Sequence, residues 1–238
     1  MLRAVRYGVL LLLLAAAFGV LAWRVNAAFA EPAWAAPLAW VSFGYGLMAL
    51  GYLGLGARVL GKSRAGRRAG WAWVLLAPVL ASMWLVRRAL RLVLDEPDWD
   101  EVVPGVYVGR IVATEKLPED TALVVDLTAE FVEPARTRAR FPYLCLPTLD
   151  GTAPAAADLA ALVDEVAAHP GPIYVHCAAG HGRSAMVAAA VLVARGLAAD
   201  LDDAEARMKR VRPRIRLTGD QHRRATEALR LRSAAASG

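Results

Sequence analysis

The fold is decided by the stretch Ile173-Tyr174-Val175-His176-Cys177-Ala178-Ala179-Gly180-His181-Gly182-Arg183-Ser184. An apolar, β-like run ends at His176, and a smooth helical pattern follows over 185–195 until Gly196 ends it. The residues in between form a glycine-containing turn from strand to helix. Such a turn can direct successive backbone N–H groups, and the positive end of the helix, at one centre. The stretch therefore predicts a cup for an anion at the end of a β-strand.

Cys177 and Arg183 give this predicted cup its chemistry. The N–H groups and the helix end favour a thiolate, so the pKa of Cys177 should fall below the usual value of about 8.5. Arg183 carries a planar fork that can bind two phosphate oxygens, and Ser184 can donate a hydrogen bond to the departing sulfur. A cysteine and an arginine at this separation also occur by chance, and a buried cysteine is often only a small hydrophobe. The whole string is far more specific and predicts a phosphatase.

The string resembles the signature of the cysteine-dependent protein tyrosine phosphatase superfamily, and residues 99–231 look most like its dual-specificity branch. Residues 103–109 resemble the opening strand turn of that branch, and 211–213 resemble the segment between its last two helices. The resemblance implies an α/β fold with a central sheet flanked by helices, and two-step hydrolysis through a phosphocysteine without a metal or another cofactor. His176 is expected to tune the thiolate. The expected phosphate-binding residues are Ala178, Ala179, Gly180, His181, Gly182 and Arg183.

This chemistry also needs an acid to protonate the leaving oxygen and later to activate water. The family places an aspartate on a mobile loop upstream of the cysteine, and Asp150 is the candidate here because two prolines and a glycine mark its surroundings as a loop. Asp150-Gly151 is alternatively a simple turn. Asp158 is a second candidate, although it falls inside a predicted helix and is expected to face solvent.

Three further residues remain open to two interpretations. His181 either contacts the substrate or faces solvent at the rim of the cup. Asp126 ends a buried strand and is expected to bond loop amides rather than to act in catalysis. Cys145 is either a core residue or the partner of Cys177 in a reversible disulfide.

The charge of the chain is divided unevenly. Residues 1–94 carry eleven Lys/Arg and one acid, a net charge of +10, whereas residues 95–238 carry seventeen Lys/Arg and twenty-one acids, a net charge of −4. The first part is therefore the source of the high isoelectric point. Nucleic-acid binding is a poor explanation for this distribution.

Three uncharged apolar runs fill the basic part, at 7–23, 32–57 and 69–86. A membrane span needs about 20 apolar residues, so this part is predicted to be a membrane region with two or three transmembrane helices. The first run also resembles a secretory signal peptide, with Ala28-Phe29-Ala30 as the alternative cleavage site. A retained helix is the preferred interpretation, because Arg24 and Asn26 interrupt that pattern.

The basic residues predict the orientation of this region. The loop at 58–68 contains five Lys/Arg and is expected to be cytoplasmic, in the plasma or inner membrane. If the third run crossed the membrane, the catalytic domain would lie outside the cytoplasm. The continuation of that run over 85–94 is amphipathic and basic, which suits a helix on an anionic leaflet. A thiolate enzyme also favours a reducing compartment, so a cytoplasmic catalytic domain is the prediction.

The predicted organisation is a membrane region at 1–94, a linker at 95–100, a catalytic domain at 101–232 and a disordered tail at 233–238. The alternating pattern predicts an α/β domain. Strands are expected near 106–108, 123–127, 143–146 and 172–176. Helices are expected at 155–169, 184–195, 201–211 and 219–231, the last with a capping box at Thr218–Gln221.

These features predict two candidate substrate classes. They do not predict the oligomeric state. One is a phosphoprotein, carrying phosphotyrosine and also phosphoserine or phosphothreonine. The other is a phospholipid headgroup, in phosphatidylglycerophosphate or a phosphoinositide, since a membrane anchor raises the local concentration of headgroups. A non-catalytic phosphate-binding module is a remote third class, because the cysteine, the arginine and the acid are all present.

Overall fold

The computed structural model describes residues 2–29 and 32–236. The chain divides into two compact units, one comprising Met1–Ser63 and Arg67–Asp95 and the other comprising Arg64–Gly66 and Glu96–Gly238.

The first unit is helical. Its two long helices are α1 (Leu2–Phe29) and α2 (Pro32–Leu50), and α2 continues into a π-helical turn at Gly51–Leu55 and a 3₁₀ turn at Gly56–Leu60. Two further helices, α3 (Gly70–Leu75) and α4 (Ala77–Val93), complete the unit. The alternative signal cleavage site includes Ala30, which lies outside the described residues.

Within the described residues, two helical segments have the length and apolar composition needed to cross a membrane, Ala4–Phe29 and Pro32–Leu60. These two criteria are also met by signal sequences and by core helices of soluble proteins. Small residues let α1 and α2 pack closely. The hydroxyl of Ser42 donates to the carbonyl of Ala15 at 2.7 Å, and the rings of Phe18 and Tyr45 stack at 6.1 Å.

The third apolar run, 69–86, is divided between α3 and α4. Leu76 leaves the helical region with φ −101° and ψ 5°, and Pro78 follows within the first turn of α4. Neither helix alone provides the uninterrupted apolar length of a span. The second half of α4 carries Arg87, Arg88 and Arg91 together with exposed leucine and valine side chains.

The second unit is built on a mixed five-stranded sheet in the order β1-β2-β5-β3-β4. β1 is antiparallel to β2, and all other neighbours are parallel. The strands are β1 (Trp99–Val103), β2 (Val106–Arg110), β3 (Leu123–Thr128), β4 (Tyr143–Thr148) and β5 (Ile173–Cys177). The helices are α5 (Ala135–Arg140), α6 (Ala156–Ala168), α7 (Arg183–Ala194), α8 (Leu201–Val211) and α9 (Gly219–Ala236).

Alternate residues of each central strand enter different clusters, as the two-residue period requires. Val106, Val125 and Val175 join the main core with apolar residues of α6–α9, whereas Tyr107, Val124 and Tyr174 form a smaller cluster. α7 is buried almost throughout its length. This explains its even apolar composition, which lacks the polar face of a surface helix.

Several predicted elements need correction. Residues 99–100, predicted to be linker, belong to β1, and residues 233–236, predicted to be a disordered tail, extend α9. The short helix α5 was not predicted, because its sequence, ARTRAR, has no apolar stripe. The capping box is confirmed. Thr218 Oγ1 accepts a hydrogen bond from the backbone N–H of Gln221 at 3.2 Å, and Gln221 Oε1 accepts one from the backbone N–H of Thr218 at 2.9 Å.

Candidate active site

The predicted cup lies between the end of β5 at Cys177 and the start of α7 at Arg183. Gly180 is essential to its shape for two reasons. Its φ of +80° is a conformation that side chains disfavour, and a Cβ atom there would lie 2.6 Å from the backbone carbonyl carbon of Gly109. The resulting curl directs the Gly180 N–H at the sulfur of Cys177, 3.2 Å away.

The Cys177 side chain is buried, with 3% of its surface exposed. Its sulfur lies 3.4 Å from the hydroxyl oxygen of Ser184. Burial raises the pKa of the Cys177 thiol, but the charge of Arg183 and hydrogen bonds from Ser184 lower it by more. The net pKa is lowered, in the direction that a nucleophilic thiolate requires.

Arg183 is 1% exposed and uses both terminal nitrogens in hydrogen bonds. Nη1 donates to Glu130 Oε2 at 2.8 Å and to the Thr148 carbonyl at 2.7 Å, and Nη2 donates to Glu130 Oε1 at 2.6 Å. Burial lowers the pKa of Arg183, but Glu130 and Asp150 raise it well above its ordinary value. Nε is buried and has no hydrogen-bond partner within the described part of the chain.

Glu130 was not identified from the sequence, although it makes the closest carboxylate contact of Arg183. It follows β3, whose carboxyl end lies beside that of β5 because the two strands are parallel neighbours. Ligands of α/β sheets gather at this edge. A search for polar residues after each predicted parallel strand would have found it.

Asp150 follows β4 on a loop, as predicted, with 75% of its side chain exposed. Its Oδ1 lies 3.1 Å from Arg183 Nη2. The Asp150 carboxylate is therefore solvent-exposed and lies beside the guanidinium of the predicted cup. Asp158 lies on α6 with its side chain about half exposed, as the sequence predicted for that candidate.

The two histidines of the stretch face different partners. His176 is fully buried, and its Nε2 lies 3.2 Å from Oε2 of Glu133, which is also buried. His181 Nε2 lies 2.9 Å from both carboxylate oxygens of Glu96. Desolvation lowers the pKa of His181, and the nearby Glu96 opposes this only in part.

Arg212 binds the segment 178–183 between β5 and α7, which we call the phosphate loop because phosphate is its predicted ligand. This fully buried side chain donates to the carbonyls of Ala179 at 3.1 Å and Gly180 at 3.0 Å, and its charge is met by Asp100 at 2.7 Å. Because the two carbonyls point towards Arg212, the amides on the other side of the same peptide planes point away from it. The resemblance had covered Arg212 without giving it this role.

The alternative of a disulfide between Cys145 and Cys177 does not agree with the sheet. Cys145 lies on β4 and Cys177 on β5, and β3 runs between them. Two strand spacings amount to about 9.5 Å, and a disulfide requires Cα atoms within about 7 Å. Cys145 is a buried residue of β4.

One group of three potential metal ligands lies near the cup within the described residues, namely Asp126, Glu133 and His176. Asp126 Oδ1 accepts from the amide and the hydroxyl of Thr128, both at 2.7 Å, and Oδ2 accepts from the Tyr143 hydroxyl at 2.7 Å. Asp126 thus organises the end of β3, as the sequence predicted. Both oxygens of the Asp126 carboxylate thus accept hydrogen bonds from protein donors.

Comparison with known proteins supports a phosphatase. Residues 114–197 match the family model described as Tc-R-P, a DSP-PTPase phosphatase of polymorphic toxin systems. No curated protein matches the chain. Among solved structures, PTPMT1 in complex with PI(5)P is 21% identical and covers 58% of this chain and 99% of its own, with a TM-score of 0.51.

Two further structures are less similar by TM-score. The active form of Tk-PTP is 27% identical, covers 56% of this chain and 97% of its own, and has a TM-score of 0.48. Human DUSP28 is 24% identical, covers 60% and 97%, and has a TM-score of 0.46. The second unit has the α/β fold of the dual-specificity phosphatases, and the family model supports the cysteine-dependent phosphatase superfamily.

Proposed function

We propose that the second unit hydrolyses phosphomonoesters through a phosphocysteine intermediate on Cys177, and that the first unit anchors it to a membrane. The arrangement of one loop carries this proposal. The buried sulfur of Cys177 receives the Gly180 N–H, and Arg183 has a buried Nε–H for which the described residues provide no acceptor. A phosphate dianion above the sulfur would supply that acceptor.

In the first step, the thiolate of Cys177 attacks phosphorus, and a P–S bond forms as the bond to the leaving oxygen breaks. Asp150 gives its proton to that oxygen. Arg183 Nε and the loop amides of residues 178–183 stabilise the charge that develops on the three equatorial oxygens. The positive charge of Arg183 and the amide dipoles meet this need without a metal ion.

In the second step, a water molecule attacks the phosphocysteine. Asp150, now a carboxylate, accepts a proton from the water, and the P–S bond breaks to release inorganic phosphate. The sulfur departs as a thiolate, which the hydroxyl of Ser184 stabilises by a hydrogen bond from 3.4 Å. The enzyme returns to its starting state with Asp150 protonated.

The composition of the loop supports a protein phosphatase of the tyrosine or dual-specificity type. Ala178 and Ala179 add no charge, so the loop does not select polyanionic headgroups by itself. The second candidate, a lipid phosphatase acting on phosphatidylglycerophosphate or a phosphoinositide, is favoured by the two apolar segments Ala4–Phe29 and Pro32–Leu60. An enzyme held at a bilayer meets such headgroups at high effective concentration.

The localisation that we propose is a plasma or inner membrane, with the catalytic unit in the cytoplasm. The basic loop at 58–68 follows the second apolar segment and favours the cytoplasmic side. Because the run at 69–86 is divided at Leu76, the chain need not cross again before β1.

Two exposed positions test this topology, Ser63 and Asp202. The two substitutions are made in a Cys145→Ser, Cys177→Ser protein, which has no native cysteine. We expect Ser63→Cys and Asp202→Cys to react with an impermeant maleimide only after sealed, right-side-out membrane vesicles are permeabilised. Opposite labelling of the two positions would mean that residues 70–93 cross the membrane.

The catalytic proposal is tested by phosphate release from the full-length protein in detergent micelles, with Cys177→Ser as its partner. The panel contains phosphotyrosine, phosphoserine and phosphothreonine peptides, phosphatidylglycerophosphate and a phosphoinositide. We expect turnover in the presence of a chelator that Cys177→Ser abolishes. Equal turnover by the two proteins would exclude a phosphocysteine on Cys177.

A further inference from the structure

The C-terminal part of the catalytic unit is strongly basic. Residues 207–238 carry ten Lys/Arg and two acids, a net charge of +8, whereas residues 95–206 carry seven Lys/Arg and nineteen acids. The small net charge of the unit hides this separation. A concentrated positive charge matters for recognition where it lies beside a binding site.

The segment between α8 and α9 brings part of this charge to the cup. The amide of Arg216 donates to the carbonyl of His181, in the phosphate loop, at 3.1 Å. Gln221 lies at the start of α9, and its side-chain Nε2 donates a hydrogen bond to the Thr152 carbonyl at 3.1 Å. Thr152 belongs to the loop that carries Asp150. The segment therefore borders both the phosphate loop and the acid loop.

Exposed and buried side chains alternate along residues 214–217 of this segment. Ile215 and Leu217 are buried in the core, and Arg214 and Arg216 are exposed. Arg214 is 48% exposed, and its Nη1 lies 3.5 Å from Glu96, the same carboxylate that His181 contacts. We call Arg214 and Arg216 the basic rim.

The phosphate loop itself provides little charge for a second anionic group. Arg183 is its one arginine and is assigned to the phosphate that is hydrolysed, and the lowered pKa of His181 favours the neutral form of that side chain. A second anion of the substrate would therefore need cationic side chains outside this loop, and the basic rim offers them next to His181.

We infer that the basic rim binds the phosphodiester of a glycerophospholipid whose headgroup ends in a phosphomonoester. This inference rests on the proposed phosphatase activity and, of its two candidate substrate classes, on the lipid. Every lipid with a phosphorylated headgroup contains both groups, the monoester that is hydrolysed and the diester that joins the headgroup to diacylglycerol. Arginine is suited to the diester because its planar fork binds two phosphate oxygens.

A lipid is favoured over a doubly phosphorylated peptide by the rest of the chain. Two helical segments have the length and composition of membrane spans, so the protein is expected to meet lipid headgroups as its nearest anions. Phosphatidic acid provides a matched comparison. It presents a phosphomonoester on the same diacylglycerol but has no phosphodiester.

The test measures kcat/KM of the full-length protein in mixed micelles on phosphatidylglycerophosphate and on phosphatidic acid. The variant is Arg214→Gln with Arg216→Gln. The control is Arg207→Gln with Arg224→Gln, which removes two exposed arginines that are paired with Asp203 and Glu227 on their own helices. We expect the preference for phosphatidylglycerophosphate over phosphatidic acid to fall at least tenfold in the rim variant and to stay within twofold in the control.

Equal losses on both lipids, or an unchanged preference, would overturn the role of the basic rim. A preference for doubly phosphorylated peptides that the rim variant abolishes, with no change on lipids, would assign the rim to a phosphoprotein instead. If the wild-type protein released no phosphate from any of these substrates or from p-nitrophenyl phosphate, the proposed function itself would fail. Turnover that depends on Cys177 and is insensitive to the rim would overturn this inference alone.

Discussion

Glu130 accepts two hydrogen bonds from Arg183, at 2.6 and 2.8 Å, in a buried, bidentate ion pair. The pair occupies the two terminal nitrogens of the guanidinium and leaves the Nε edge for a ligand. The Thr148 carbonyl accepts a further bond from Nη1. The position of Arg183 above the loop thus depends on residues that follow β3 and β4, far from it in sequence.

Replacing Glu130 tests this dependence. Glu130→Gln keeps the size of the side chain but offers one acceptor instead of two, so Arg183 loses its fixed orientation. Hydrogen bonds between charged groups contribute about 1.5–3 kcal/mol, and we expect kcat/KM to fall roughly 10- to 100-fold. The affinity for vanadate, which occupies the same cup, should fall by a similar factor.

Glu115→Gln is the control for this substitution, because Glu115 forms an exposed ion pair with Arg136. An unchanged vanadate affinity in Glu130→Gln would show that Glu130 does not position Arg183 for phosphate.

The lowered pKa of Cys177 predicts a specific pH dependence. Because the thiolate is the reactive form, the rate of alkylation by iodoacetamide should be constant at high pH and should fall as the pH decreases through the lowered pKa. Ser184→Ala removes one stabilising hydrogen bond. In Ser184→Ala, the midpoint of the pH dependence of the alkylation rate should therefore move to higher pH, towards the ordinary cysteine pKa of about 8.5.

The same experiment has an internal comparison in Cys145, which is buried on β4. A Cys177→Ser protein should lose the reactive phase, and a Cys145→Ser protein should keep it. A midpoint that moves to lower pH in Ser184→Ala would contradict the proposed hydrogen bond to the sulfur.

The role of Asp150 predicts a dependence on the leaving group. A poor leaving group, such as the serine oxygen of phosphoserine, needs a proton as it departs, whereas p-nitrophenolate leaves without one. General acid catalysis contributes roughly 10²- to 10⁴-fold. Because both substrates give the same phosphocysteine, kcat/KM is the parameter that reports the first step alone. We therefore expect Asp150→Asn to lower kcat/KM strongly on phosphoserine peptides and much less on p-nitrophenyl phosphate.

Asp158→Asn is the matched control, because Asp158 is an exposed residue of α6. If Asp150→Asn lowered kcat/KM equally on both substrates, or if Asp158→Asn had the larger effect, Asp150 would not be the acid.

The features that the sequence predicted correctly are local in the chain. The strand-loop-helix stretch around Cys177 and the capping box at Thr218 are local patterns, and both appear where they were expected. β1 was missed because its sequence, WDEVV, carries two acids and lies at the edge of the sheet, with a burial pattern that does not alternate cleanly.

The partners of the phosphate loop were missed for another reason. Glu130 and Arg212 are distant from the loop in sequence, and only the parallel order of β3 and β5 and the packing of α8 bring them to it. The division of the third apolar run at Leu76 follows from backbone angles that its apolar composition does not reveal.

Gly180 provides the sharpest test of the loop itself. In Gly180→Ala, the new Cβ would lie 2.6 Å from the backbone of Gly109, so β2 or the loop must move. A shift of about 1 Å in a catalytic group can lower a rate roughly 100-fold. We expect at least that loss in kcat, together with weaker vanadate binding.

The Gly196→Ala variant is the control that separates the effect of backbone strain from the effect of the steric clash between residue 180 and Gly109. Gly196 also has a positive φ, +69°, but a Cβ there meets no atom within 4 Å. A side chain in the left-handed region costs about 1–2 kcal/mol, so this variant should lower the free energy of unfolding by that amount and leave kcat unchanged. Similar kinetic losses in both variants would attribute the effect to global destabilisation, whereas a loss confined to Gly180→Ala would trace it to the contact between the phosphate loop and β2.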